Sequence, residues 1–264
     1  MNRTEMKNNA AINAFPRNFL NSVTGILLIT NVFVFIVTII LQINEIDLAN
    51  WGGLHFFLAK DFHFYQFVTY LFLHASLWHI FSNLLFLWLF GLVVEKYWGS
   101  KRFIAYYLIC GIVGGLLQEL VQFVSFYLTI AEQDPATSLE TVFETGKQLS
   151  NELNSWITIG SSSAVCAIIL AFGIMFSERQ IFSIKVKWLI IIYVFLQVLG
   201  FVGSFDNVGI FAAQLGAMLC GFVIICCWNR KSEEIVSDDK KIDWGMKLLL
   251  VIVGVNIIYL IINS

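Results

Sequence analysis

The sequence predicts an all-α membrane protein: a bundle of six transmembrane helices, with one additional transmembrane helix at the C-terminal end. Three observations carry this reading. Of the 264 residues, 58% are hydrophobic and 13% are charged, and the mean hydropathy is +0.79, whereas a soluble domain has about a quarter of its residues charged. Apolar windows long enough to span a bilayer fall at 20–42, 67–94, 103–128, 156–177, 186–204, 208–228 and 245–262. Two prolines and the absence of alternating strand patterns argue for helices over a β-barrel.

Taken in order, residues 1–19 form a polar tail with Arg3, Lys7 and Arg17. No small-residue cleavage site follows a short apolar stretch, so span one is expected to stay in the mature protein. Residues 20–228 form the six-helix core. Span two carries His74, His79 and Asn83, and a basic connection with Lys96, Lys101 and Arg102 follows it. Span three runs into a polar, acidic loop at 129–155, expected to be partly mobile. Span four opens with ITIGSSSAVCA, in which three serines follow Gly160. Arg179, Lys185 and Lys187 precede span five. A charged linker at 229–244, beginning NRKSEEIVSDDKKID, separates span six from the helix expected at 245–264. That last helix contains Asn256 and is assigned no chemistry.

Basic residues set the orientation. The tail, the two basic connections and the linker with nearby Lys247 hold 14 of the 16 Lys and Arg residues; the opposite loops hold only Lys60 and Lys147. The excess of positive charge marks the cytoplasmic side. The expected topology is therefore a multi-pass protein of a bacterial inner (plasma-type) membrane, with its N-terminus cytoplasmic and its C-terminus outside. On a helix beginning at residue 156, Ser162 would lie about 9 Å below the outer surface, and residue 214 would lie at a similar depth on span six. Polar groups from spans two, four and six are thus expected to converge in the outer half of the bilayer, where they need a bundle interior or a water-filled cavity.

Several function classes are disfavoured. The five cysteines lie in apolar runs without C-x-x-C or Cys/His spacing, so no metal site and no cofactor are expected. No basic run with interleaved aromatics points to nucleic acid. Spans one to six read as free of mid-span charge, which disfavours a transporter or channel.

The pattern His74-x4-His79-x3-Asn83, followed by Gly91, Glu95 and Gly99, resembles the second span of the rhomboid family of intramembrane serine proteases. Residues 99–120 are similar to the third span of bacterial members. Gly160-Ser161-Ser162 matches the first three positions of the family's G-x-S-G motif, and FDNVGIFAAQLGAMLCG resembles its sixth span, with Gly221 at the expected spacing. The resemblance implies that Ser162 is the nucleophile position. It implies too that His79 and Asn83, with the Ser162 backbone N–H, would stabilise an oxyanion, a contribution of several kcal/mol in hydrolases. His74 reads as structural.

The departure lies in span six. The family has A-H-x-x-G-x3-G there, with the histidine as general base; this chain has Ala213-Gln214-x-x-Ala217-x3-Gly221. The four histidines are His55, His63, His74 and His79, so none lies beyond residue 79. Ser163 replaces the second glycine of G-x-S-G, Ala217 replaces a packing glycine, and Tyr65-Gln66 replaces a Trp-Arg pair. A carboxamide can hydrogen-bond a serine hydroxyl but cannot take up its proton near neutral pH. Two functional readings result. One is a catalytically impaired pseudoprotease that binds or regulates the transmembrane helices of other proteins in the lipid bilayer. The other is an active serine endopeptidase with a displaced base: His79, or more remotely His55, His63, Lys60 or Lys147.

Overall fold

The computed structural model describes residues 21–134, 136–178, 180–181, 184–203 and 208–229. The tail expected at 1–19, most of the linker and the helix at 245–264 lie outside the described residues.

Helix α1 (Val23–Ile43) starts at Ser22, whose hydroxyl accepts the Gly25 N–H at 2.9 Å. A loop follows with the short helix α2 (Ala49–Gly52), the strand β1 (Leu54–His55), the single turn α3 (Gln66–Thr69) and a 3₁₀ turn at Tyr70–Phe72. Helix α4 (Leu77–Trp98) comes next and carries a π-helical segment at Leu87–Gly91. Helix α5 (Ser100–Gln133) has 34 residues, a rise of about 51 Å, which exceeds a hydrocarbon core of about 30 Å. Helix α6 (Leu139–Gln148), a 3₁₀ turn (Glu152–Ser155) and strand β2 (Ile157–Thr158) lead to α7 (Ser162–Met175). The hairpin of β3 (Gln180–Ile181) and β4 (Ile184–Lys185) then joins α7 to α8 (Val186–Gly203), and α9 (Val208–Asn229) closes the described chain. Helices α1, α4, α5 and α9 are each long and apolar enough to cross a membrane.

Helix α7 is the core. Every residue from Ser163 to Gly173 is buried, against α5 and α9 on its two sides and α4 on a third. Tyr106 of α5 donates to the Ala167 carbonyl at 2.9 Å, and Phe90 of α4 packs on Phe172 at 4.8 Å. Cys110 and Cys166 are buried, the latter with its sulfur 2.9 Å from the Tyr193 hydroxyl.

The structure corrects four expectations. Span two is not one helix over 67–94. The chain breaks at Leu73–Ser76, because the extended Ser76 caps α4 by accepting the His79 N–H at 3.1 Å; His74 lies in that break. Span four does not begin as a helix at 156. Residues 157–158 pair antiparallel with 54–55, and Ser162 is the first helical residue. The helix that follows is short: 14 residues rise about 21 Å, about 9 Å less than the hydrocarbon thickness. The loop at 129–155 is a folded cap. Val142 and Leu153 are buried with Phe56, Ala59 and Phe126, and Asn154 exchanges two hydrogen bonds with Asp61, from the Asp61 N–H at 3.0 Å and to its carboxylate at 2.8 Å. Finally, the spans are not free of acidic groups, since Glu119 sits buried within α5.

Candidate functional site

The loop between β2 and α7 is shaped by Gly160. Its φ is +123°, a conformation that side chains rarely tolerate, and its N–H donates to the Tyr70 carbonyl at 2.8 Å. A Cβ at Gly160 would stand 2.7 Å from both Cε1 and Nε2 of His79, so the imidazole lies directly on the glycine. Nδ1 of that ring accepts the Ala75 N–H at 3.4 Å. A neutral ring with Nδ1 as acceptor carries its proton on Nε2, on the side facing Gly160. His79 therefore presents a donor to the serine loop. Asn83, one turn along α4, is buried, and its Nδ2 donates to the His79 carbonyl at 3.1 Å. One amide N–H is thereby used and the other is left over.

The three serines have different surroundings. Ser161 is fully buried, and its hydroxyl lies 3.4 Å from Nε2 of His74. The T-shaped contact of the His74 and His79 rings, 5.0 Å between centroids, places both imidazoles under the loop. Ser163 is buried, with its hydroxyl 3.2 Å from the Tyr70 phenol oxygen. Tyr70 donates to the Gly111 carbonyl at 2.7 Å, which leaves Ser163 as donor in that pair. Ser162 alone is half-buried, and among the described residues no group hydrogen-bonds its hydroxyl.

Helix α9 reaches this region through close backbone approach. A Cβ at Gly114 of α5 would meet the Ser163 Cβ at 2.8 Å and the Ala213 carbonyl at 2.9 Å. Three helices therefore converge one residue from Gln214. The Gln214 Oε1 is buried without a hydrogen-bond partner among the described residues; the hydrogen bond to Ser162 that a carboxamide is able to make is not formed. Ala217 is fully buried, and one turn on, a Cβ at Gly221 would meet the Ala167 Cβ at 3.3 Å.

The remaining motif residues serve packing at the far end. Glu95 accepts the Val23 and Thr24 N–H groups, both at 2.8 Å, the Thr24 hydroxyl at 2.7 Å and the Ser100 hydroxyl at 2.6 Å. It thus joins the starts of α1 and α5 to α4. Gly91 faces Leu87, Thr24 and Phe103, and Gly99 turns the chain into α5 with φ +79°.

The alternative bases lie elsewhere. His55 is buried in the first loop, with Nε2 3.0 Å from the Asn50 carbonyl. His63 is stacked on Tyr65. Lys147 pairs with Glu144, and Lys60 is exposed. Among the described residues no grouping of His, Cys, Asp or Glu is suited to a metal ion.

Sequence reasoning passed over a set of positioning groups. Gln66, fully buried, accepts the His55 and His63 N–H groups at 3.3 and 3.0 Å and donates to the Asp61 carbonyl at 2.9 Å. Glu119 accepts the Phe57 N–H at 2.8 Å, and Gln118 bonds the Thr158 hydroxyl. Their polarity inside or beside apolar runs was the available signal.

Residues 61–231 match the rhomboid domain family. Among curated relatives, the chain is 26% identical over 194 residues to Rhomboid-like protease 3 of Toxoplasma gondii; the alignment takes in 73% of this chain and 62% of that protein, less than two thirds of its length. Together with the apolar helices, the family match identifies a multi-pass integral membrane protein. It covers well over half of the chain, and the protein belongs to the rhomboid family.

Proposed function

We propose that this protein is a rhomboid-family member whose proteolytic chemistry is impaired and whose role is to bind or regulate the transmembrane helices of other membrane proteins. One observation carries the reading: the half-buried Ser162 hydroxyl has no imidazole on it, and the nearby span-six position is Gln214, whose amide oxygen is buried and unpaired. Where nucleophile and base act as a unit, removing the base costs about 10⁶ in turnover. The residual rate from oxyanion stabilisation alone is negligible for a peptide bond. His79 is a weak substitute, because its Nε2 acts as a donor towards the loop. That suits an oxyanion role, shared with Asn83, and not the removal of a proton.

An apolar groove between α1 and α4, lined by Leu28, Val32, Ile36, Leu77, Phe81 and Trp88, supports the helix-binding half of the proposal. The proposed topology has six core spans within 20–228, a linker at 229–244 and a seventh helix at 245–264, in a plasma-type membrane. The tail at 1–19 would be cytoplasmic and the C-terminus outside, as the basic connections favour.

The reading is tested by reconstituting the full chain in proteoliposomes with a single-span substrate protein. The expected result is no cleavage above that of Ser162→Ala. Cleavage by the wild type that Ser162→Ala abolishes would establish the active-protease alternative.

A further inference from the structure

The segment joining α5 to β2 carries an apolar edge that the protein interior does not cover. On α6, Val142 is buried, and a Cβ at Gly146 would meet Leu58 at 2.7 Å, so this line faces the first loop. Beside it, one turn apart, Leu139 is 58% exposed and Phe143 is 41% exposed. Glu140, Glu144 and Lys147 lie on the flank beyond them, with the last two paired to each other at 2.6 Å. The helix is therefore graded around its axis from buried, through exposed apolar, to charged.

What covers the exposed edge follows from its neighbour. The Phe143 ring lies 5.7 Å from Phe123 of α5. Next to Phe123, the residues Leu116, Leu120, Val124 and Leu128 are all exposed. Four-residue spacing puts them in one stripe, the lipid-facing side of a transmembrane helix. Phe123 lies about 35 Å along α5 from Ser100, just past a hydrocarbon core of about 30 Å. Trp156, with its ring 6.2 Å from Phe126, adds an aromatic of the kind enriched at that level.

The geometry points to α6 as an interfacial helix whose Leu139–Phe143 edge is seated in the headgroup–acyl boundary of the leaflet on the Ser162 side, with lipid as its partner. The apolar edge meets α5 at Phe123, beside its exposed apolar stripe, and the charged flank faces water, as in helices that lie in the membrane plane. The consequence is positional. Helix α6 leads through the 3₁₀ turn and β2 into Gly160, so lipid contact fixes the depth of the segment that delivers the serines. The inference stands whether or not Ser162 reacts.

The test places a genetically encoded environment-sensitive fluorescent amino acid at Phe143 and, separately, at Gln148, in the full chain in phosphatidylcholine nanodiscs. At 143 the expected result is blue-shifted emission, quenched by shallow doxyl lipid and little affected by aqueous iodide. At 148 the expected result is the reverse. Leu139 faces the same boundary and reports it with the same expected pattern if the label at 143 prevents folding. Iodide quenching without lipid quenching at 143 or 139 would overturn the inference. So would protection from both quenchers, which would mean that protein covers the edge.

Discussion

At Gly160 the backbone takes φ +123°, and a Cβ there would lie 2.7 Å from the His79 ring. Gly160→Ala therefore combines an unfavourable backbone conformation with displacement of an imidazole, and is expected to destabilise by roughly 1–3 kcal/mol. The check is a lowered Tm in detergent; an unchanged Tm would contradict the contact. Ser163 is accommodated at a tight contact between α7 and α5. Its Cβ faces Gly114, and its hydroxyl is satisfied by Tyr70. Gly114→Ala is expected to cost about 1–3 kcal/mol, with Ser163→Gly in the same chain recovering only part. The Ala213 carbonyl, 2.9 Å from the added carbon, remains in place. A double-mutant cycle showing strict additivity would refute the coupling. The Gly-Ser-Ser-Ser cluster, His79 and Asn83 were legible in the sequence because their spacing is local. The partners of Ser163 and Ser161 were not: Tyr70 and His74 lie 93 and 87 residues away in the chain, and no periodicity links them.

Among the elements, Glu95 is the clearest case of one side chain organising several helices. The carboxylate accepts four hydrogen bonds, from the first turns of α1 and α5, where the helix dipoles also favour negative charge. Glu95→Gln retains the shape and replaces an acceptor oxygen with a donor. The expected loss is on the order of 2 kcal/mol, read as a Tm lowered by roughly 4–8 °C; no shift would mean that the four contacts do not hold the helices. The folded cap gives a second prediction. Amides of Val142–Gly146, expected from composition to be mobile, should show slow hydrogen exchange, because α6 packs on Phe56, Ala59 and Phe126. Exchange as fast as in an unfolded peptide would contradict the packing. The helices Val23–Ile43, Val186–Gly203 and Val208–Asn229 were legible from hydropathy. The break at Leu73–Ser76 and the strand at Ile157–Thr158 were not read. An apolar run of this kind fits helix and strand equally well, and only pairing with Leu54 and His55 decides it. The Ser76 cap and the β-branched Ile157-Thr158-Ile159 were the local clues.

For the whole molecule, α7 is a short buried helix enclosed by α4, α5 and α9, with the cap of α6 and the first loop folded over its serine-bearing side. In the proposed reading, the departure that matters most for chemistry is one side chain on α9, Gln214. On that proposal, Gln214 supplies a carboxamide where a group able to take the Ser162 proton is expected. The most direct measurement is labelling of the purified protein with a fluorophosphonate that reacts only with activated serines, comparing wild type, Ser162→Ala and Gln214→His. The account predicts no labelling of wild type above Ser162→Ala, with any gain confined to Gln214→His. Labelling of wild type at Ser162, lost in Ser162→Ala, would contradict it.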